Sequence, residues 1–197
     1  MRRFKVQSVL CLATALAICG SLQAATVLQM NLQQMVDRSD KIFRGKVMDV
    51  REGTVRAGGT DLSTVTYRIR VDEAFKGTFR EVKGLQIAEV TMIGKLKSTS
   101  TGTVRHQSPL PGLPELKPGQ DYLLLTTRPS AIGLSTTVGL GQGAFTVTGK
   151  PGQELAVNEN QNLGLFQGIN GPSKVLAPSE GPLPYASIAN FIRQSVH

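Results

Sequence analysis

The sequence predicts a mostly β domain: a small barrel or sandwich of short, bent strands, with a short helix before them and another at the C-terminus. Two observations carry this. Five main segments have strand character, and two of them carry an interior glycine or a slip in alternation, the mark of a bulge. Apolar residues at helical spacing occur in only two short stretches, at Leu32, Met35 and Val36 and at Ile188, Phe191 and Ile192.

The elements follow in order. Asn31 is a helix cap, and Gln34 three residues on completes a capping box. The helix is short and stops near Ser39. Lys41 to Val50 is the first strand, with Gly45 as its expected bulge or bend. Thr64 to Val71 alternates: Val65, Tyr67, Ile69 and Val71 face inward, while Thr66, Arg68 and Arg70 make a solvated basic face. Phe75, Lys76 and Gly77 close that unit with a turn. Leu85 to Ile93 is the third strand, and its alternation slips at Ala88 and Glu89, predicting a second bulge. Asp121 to Thr127 is apolar on both faces, so it belongs in the middle of a sheet. Ala144 to Thr148 is the fifth strand, with Leu134 to Val138 as a partner or extension. Two long irregular segments separate these elements, residues 94–120 and 149–184, both rich in proline or glycine. The last helix is expected over 185–195. Five main strands with bends fit the partly open five-stranded barrel called the OB-fold.

The first 24 residues read as an export signal. Arg2, Arg3 and Lys5 form a basic start, Val9 to Ser21 holds no charge, and Gln23, Ala24 and Ala25 offer a cleavage site of small residues. The apolar run is shorter than the roughly 20 residues of a spanning helix. Leu16, Ala17, Ile18 and Cys19 resemble a lipid-attachment motif, but Ile18 is large where a small residue is needed. The expected exported form is a single domain over 25–197, periplasmic or secreted, with its core over 31–148. Three basic residues and no acidic ones lie in 1–24, so the net charge falls from +8 to +5. That balance suits a protein partner or an anionic envelope polymer and does not by itself indicate nucleic acid. Both cysteines, Cys11 and Cys19, lie in the signal, which leaves residues 25–197 without disulfide, thiolate ligand or cysteine nucleophile.

No grouping of catalytic residues is complete. Outside the signal the histidines are His106 and His197, too few for a zinc site of histidines and cysteines. His106 sits in a Pro/Ser-rich loop without a G-x-S-x-G elbow to serve, and reads as a solvated loop residue. Residues 139–144 (GLGQGA) match the dinucleotide fingerprint G-x-G-x-x-A in letters. That fingerprint requires a following helix, and strand-like Phe145 to Thr148 follows here, so the glycines are read as a turn or kinked strand. Carboxylate pairs suited to glycoside hydrolysis form only in a fold, and Asp72 with Glu73 reads as a strand end. No cofactor or metal is expected. The basic residues Arg68, Arg70, Lys95, Lys97, Arg105 and His106 are the candidate binding set, with few aromatic residues beside them for base stacking.

The run from 36 to 47 (VDRSDKIFRGKV), then 66–71 (TYRIRV), 75–77 (FKG), 117–125 (KPGQDYLLL) and 141–147 (GQGAFTV), resembles an uncharacterised group of bacterial exported proteins. Its layout is also similar to the netrin-like OB domain of tissue inhibitors of metalloproteinases. The resemblance covers about residues 31–147 and implies an OB-like barrel that binds a protein, such as a protease. Those inhibitors use disulfides and an N-terminal cysteine to chelate the protease zinc. Residues 25–197 hold no cysteine, so the layout carries over without that mechanism. The expected function is therefore an exported, non-catalytic binding module. The alternatives are a carboxylate-based hydrolase acting on envelope material and a structural envelope component.

Overall fold

The computed structural model describes residues 28–94, 112–169 and 180–196. The expected export signal, residues 1–24 with both cysteines, lies outside them. Among the described residues there are two α-helices, one 3₁₀ turn and eight strands. Helix α1, Leu32–Arg38, starts as its sequence requires: the Gln34 N–H donates to Asn31 Oδ1 at 2.9 Å, and the Asn31 N–H donates to Gln34 Oε1 at 3.0 Å. Leu32, Met35 and Val36 form its buried stripe.

Strands β1 (Lys41–Ala57) and β2 (Thr60–Lys76) form one hairpin of 17-residue strands. Gly58 and Gly59 join them with φ of 56° and 80°, the two positive values that a tight hairpin turn needs. Both strands run well past the expected 41–50 and 64–71, because the distal part is polar on both faces and carries no alternation. The register shifts at three places, one of them between Arg44 and Gly45, where a bulge was expected. A Cβ on Gly45 would overlap the Arg70 carbonyl oxygen, so only glycine fits.

Strand β3 (Arg80–Val82) turns back through Lys83 and Gly84 into β4 (Leu85–Ile93). The expected bulge at Ala88 and Glu89 is not there. The β2–β4 register runs without a shift from Thr64 opposite Ile93 to Arg70 opposite Ile87. The slip lay in the side chains alone: Ile87 is an apolar residue on the outward face. Next come β5 (Asp121–Thr126), β6 (Ala144–Thr148), β7 (Leu155–Asn158), β8 (Leu183–Pro184) and helix α2 (Tyr185–Ser195). Strands β7 and β8 lie within the stretch 149–184 that was expected to be irregular.

The result is a mostly β, antiparallel sheet of eight strands in the order β3-β4-β2-β1-β5-β6-β7-β8. Among the described residues it does not close. The three strands beyond the expected five are β3, β7 and β8, with three, four and two residues, too short for a period to show. Residues 134–138 lie between the ends of the curl: Val138 N–H bonds the Leu125 carbonyl, and Ser135 N–H bonds the Thr91 carbonyl, both at 2.8 Å.

Both faces of the sheet are buried where β5 lies, which explains its apolar character. Tyr122 and Leu124 join Phe43, Val47, Tyr67, Ile69 and Met92 in one core. Leu123 and Leu125 join Ile42, Phe145 and Ala156 in the other, where α1 and α2 cover the sheet. The N-terminal segment is held there by side-chain amides. Gln142 accepts from the Met30 N–H at 2.9 Å and donates to the Leu28 carbonyl at 3.0 Å, while Gln29 reaches the Leu163 carbonyl. Gln142 belongs to a 3₁₀ turn, Leu140–Gly143, that leads into β6, so the glycine fingerprint is a turn followed by strand. Among the described residues no helix is long and apolar enough to cross a membrane.

Candidate functional site

Of the six candidate binding residues, Arg68 and Arg70 are described; Lys95, Lys97, Arg105 and His106 lie outside the described residues. Arg68 and Arg70 point to the outward face of β2. Their neighbours change what that face is. Arg68 stands between Asp49 on β1 and Glu89 on β4. Arg70 pairs with Asp72 at 2.8 Å, and that hydrogen bond raises its pKa further. Arg51 pairs with Asp49 at 2.6 Å. The basic face is therefore interleaved with carboxylates. Lys46 and Arg80 stand on the same face and form no ion pair among the described residues. Ile87 lies between Arg70 and Arg80 and is only 5% exposed, although it belongs to neither core.

A second cluster was not legible beforehand. Arg44 on β1 reaches Asp121 at 3.4 Å and Glu154 at 3.3 Å. Its guanidinium lies 4.6 Å from the centre of the Tyr185 ring, the first residue of α2. The Tyr185 hydroxyl donates to Glu73 at 2.6 Å, and Glu73 also pairs with Arg193 about two turns further along α2. Arg193 in turn lies over the Phe75 ring. Asp72 and Glu73, expected to mark a strand end, sit inside β2 and have separate partners.

The electrostatics follow from the contacts. Burial opposes the charge on Arg44, but Glu154, Tyr185 and Asp121 outweigh it and raise its pKa. Burial, with Glu73 beside it, pushes the Tyr185 phenol well up. The hydrogen bond from its own backbone N–H, helped by Arg44 and the Gly152 N–H, holds the Glu154 carboxyl below its usual range. A raised phenol and a lowered carboxyl are both fixed in one protonation state at neutral pH, so they suit fastening rather than proton transfer. The cluster ties α2 to β1, β2 and β5. Among the described residues no group of three His, Cys, Asp or Glu side chains gathers for a metal ion.

The third feature is the far end of the β1–β2 hairpin. Strand β5 pairs β1 only over Lys41–Lys46, and Gln120 and Gly119 bond Val47 just beyond. Strand β4 pairs β2 only over Thr64–Arg70, and Gly94 bonds the Ser63 carbonyl. Past these points the two strands pair with each other alone among the described residues, over Val55–Ala57 and Thr60–Leu62, while Arg51–Thr54 pair with the part of β2 that also meets β4 or Gly94. Arg51, Glu52, Gly53, Thr54 and Arg56 are exposed. Val55 opposite Leu62 is its one apolar pair, half-buried. This arm is a two-stranded ribbon in which β1 is the edge strand among the described residues.

No protein-family model matches the sequence, and no curated protein matches it. The functional reading therefore rests on the arm, the outward face of β2 and the Arg44 cluster.

Proposed function

We propose that the chain is an exported, non-catalytic binding module that meets a protein or an anionic envelope polymer through the β1–β2 arm and the adjoining Arg68/Arg70 face. The observation that carries this reading is the edge position of β1 in the arm. A strand edge with unpaired backbone groups is a template for another chain. The finer fold reading belongs to the same proposal: β1, β2, β4, β5 and β6 are the five strands of an OB-like, partly open barrel. Their order in the sheet, β4-β2-β1-β5-β6, supports it, since one long bent strand serves both halves. The Ser135–Thr91 hydrogen bond supports it too, by drawing the far strands together.

A hydrolase would need two carboxyl groups with separated protonation states across a cleft. Asp121 and Glu154 lie near each other but do not make such a pair. Arg44 bridges them, and Glu154 is shifted down, the opposite of what a general acid requires.

The experiment is affinity capture from the native envelope with the exported chain and with a form whose arm is cut back, Val55–Leu62 being replaced by Asn-Gly so that Thr54 and Ser63 remain opposite each other. The expected result is a stoichiometric partner or polymer retained by the intact chain and lost by the shortened one. Equal capture by both, or repeated recovery of nothing, would overturn the proposal.

A further inference from the structure

We infer that the outward face of β2 binds a linear chain of phosphate groups, laid across the strands along the row Lys46–Arg70–Arg80. This rests on the reading of that face above and names the class of ligand. Arg70 on β2 stands opposite Lys46 on β1 and opposite Ile87 on β4, and Ile87 stands opposite Arg80 on β3. Directly opposed side chains share a face, so three cations cross four strands in one line. The line spans three strand spacings, about 14 Å. Ile87 is buried and makes an apolar floor between the two arginines. Like charges directly across strands destabilise a sheet. Lys46 opposite Arg70 is therefore a cost, and an anion on the row removes it.

The carboxylates near the row leave it charged. Arg70 gives its Nε to Asp72 at 2.8 Å, and its terminal nitrogens form no hydrogen bond among the described residues. Asp121 stands on the other side of Lys46, but its salt bridge goes to Arg44. Its Oδ1 is buried without a hydrogen-bond partner among the described residues, and Lys46 stays exposed instead of filling that place. The flanking rows set the shape of the ligand. Towards the arm, Arg68 stands between Asp49 and Glu89, and in the other direction Asp72 and Glu73 follow on β2. A broad anionic surface laid on this face meets those carboxylates, whereas a single chain along the row passes between them. Lys46, Arg70, Ile87 and Arg80 include no aromatic ring, so the row offers nothing for bases to stack on. Two of its three cations are arginines, whose planar fork matches phosphate oxygens.

The test is titration of the protein purified after export with fluorescently labelled inorganic polyphosphate, at low salt and neutral pH. Binding is expected, and it should weaken about fourfold for each doubling of salt, the dependence of three neutralised phosphates. Lys46→Glu and Arg80→Glu, both at exposed positions, should each weaken it by about tenfold. Lys150→Glu makes the same charge change on the turn after β6, off the row, and should stay within about twofold of the parent. Melting curves of the three variants check that each is folded. No binding at low salt, row variants that bind as the parent does, or a Lys150→Glu protein weakened as much as they are would each overturn the inference. Equal binding of polyglutamate would overturn it by assigning the row to carboxylates. Tighter binding, per phosphate, to phosphatidylglycerol vesicles would overturn it by assigning the face to a membrane surface. If capture from the envelope needs the arm while polyphosphate does not bind, this inference falls and the proposed function stands. If polyphosphate binds through the row while arm-dependent capture is absent, the inference stands and the role proposed for the arm falls.

Discussion

Gly45 is the residue on which the curl of the sheet turns. It lies at a register shift, and any side chain there meets the Arg70 carbonyl and the Ile69 Cγ2 within 2.9 Å. Gly45→Val should destabilise the fold by about 3 kcal/mol in urea unfolding, the range for a backbone clash in a packed core; a loss under 1 kcal/mol would mean that β2 yields easily. Gln142 is the other residue with a large expected effect. It is 3% exposed and satisfies both the Met30 N–H and the Leu28 carbonyl. Gln142→Leu should lose about 1–3 kcal/mol, since both backbone groups would be left without a buried partner. Faster amide exchange at Met30 would identify the cause. At this scale much was legible. The capping box at Asn31 and Gln34 and the bend at Gly45 depend on local chemistry, which sequence shows directly. The Arg44 cluster was not legible, because its partners lie 77 and 110 residues away and the Tyr185–Glu73 link spans 112. No local pattern announces such meetings.

Among the elements, α2 and the arm stand at opposite ends of stability. Helix α2 buries Ile188 and Ile192 completely and is fastened through Arg44, Tyr185, Glu73 and Arg193. Ile188→Ala should therefore remove about 3 kcal/mol. The helix fastening is also pH-dependent. The Glu154 carboxyl is held below its unfolded value of 4.5, so its contribution is complete above that pH and is lost as pH falls through the lower folded value. Thermal melts from pH 6 down to about pH 3 should show a steeper fall for the parent than for Glu154→Gln. Parallel curves would count against the linkage. The arm touches neither core, so replacing Val55–Leu62 by Asn-Gly, which keeps Thr54 opposite Ser63, should shift Tm by less than about 3 °C. Strand extent was the least legible property at this scale. Residues 51–57 carry no alternation because neither face of the arm is buried, and alternation records burial, not pairing. The Gly58-Gly59 turn was the available signal, since two adjacent glycines between strands favour a tight hairpin.

For the whole molecule, the fold class was legible because each long strand has one or two buried faces. The count of strands was not. Strands β7 and β8 add only six residues between them, yet they place Leu155 and Leu183 at the edge that α2 follows. The irregular composition around them concealed that role. If residues 1–24 are removed on export, as proposed, the remaining chain holds no cysteine and should unfold at the same temperature with and without a thiol reductant; a reductant-dependent Tm would show that Cys11 or Cys19 is retained.

The packing of α1 against α2 has a kinetic consequence. The core that holds Leu32, Met35 and Val36 also holds Ile188, Phe191 and Ile192, so the first helix finds its seat only beside the last. A chain threaded N-terminus first through a narrow channel cannot complete that core until its tail has emerged. Contacts of such long sequence separation form late and close slowly. The order of the chain thus delays its own compaction, a delay that would serve the export proposed above.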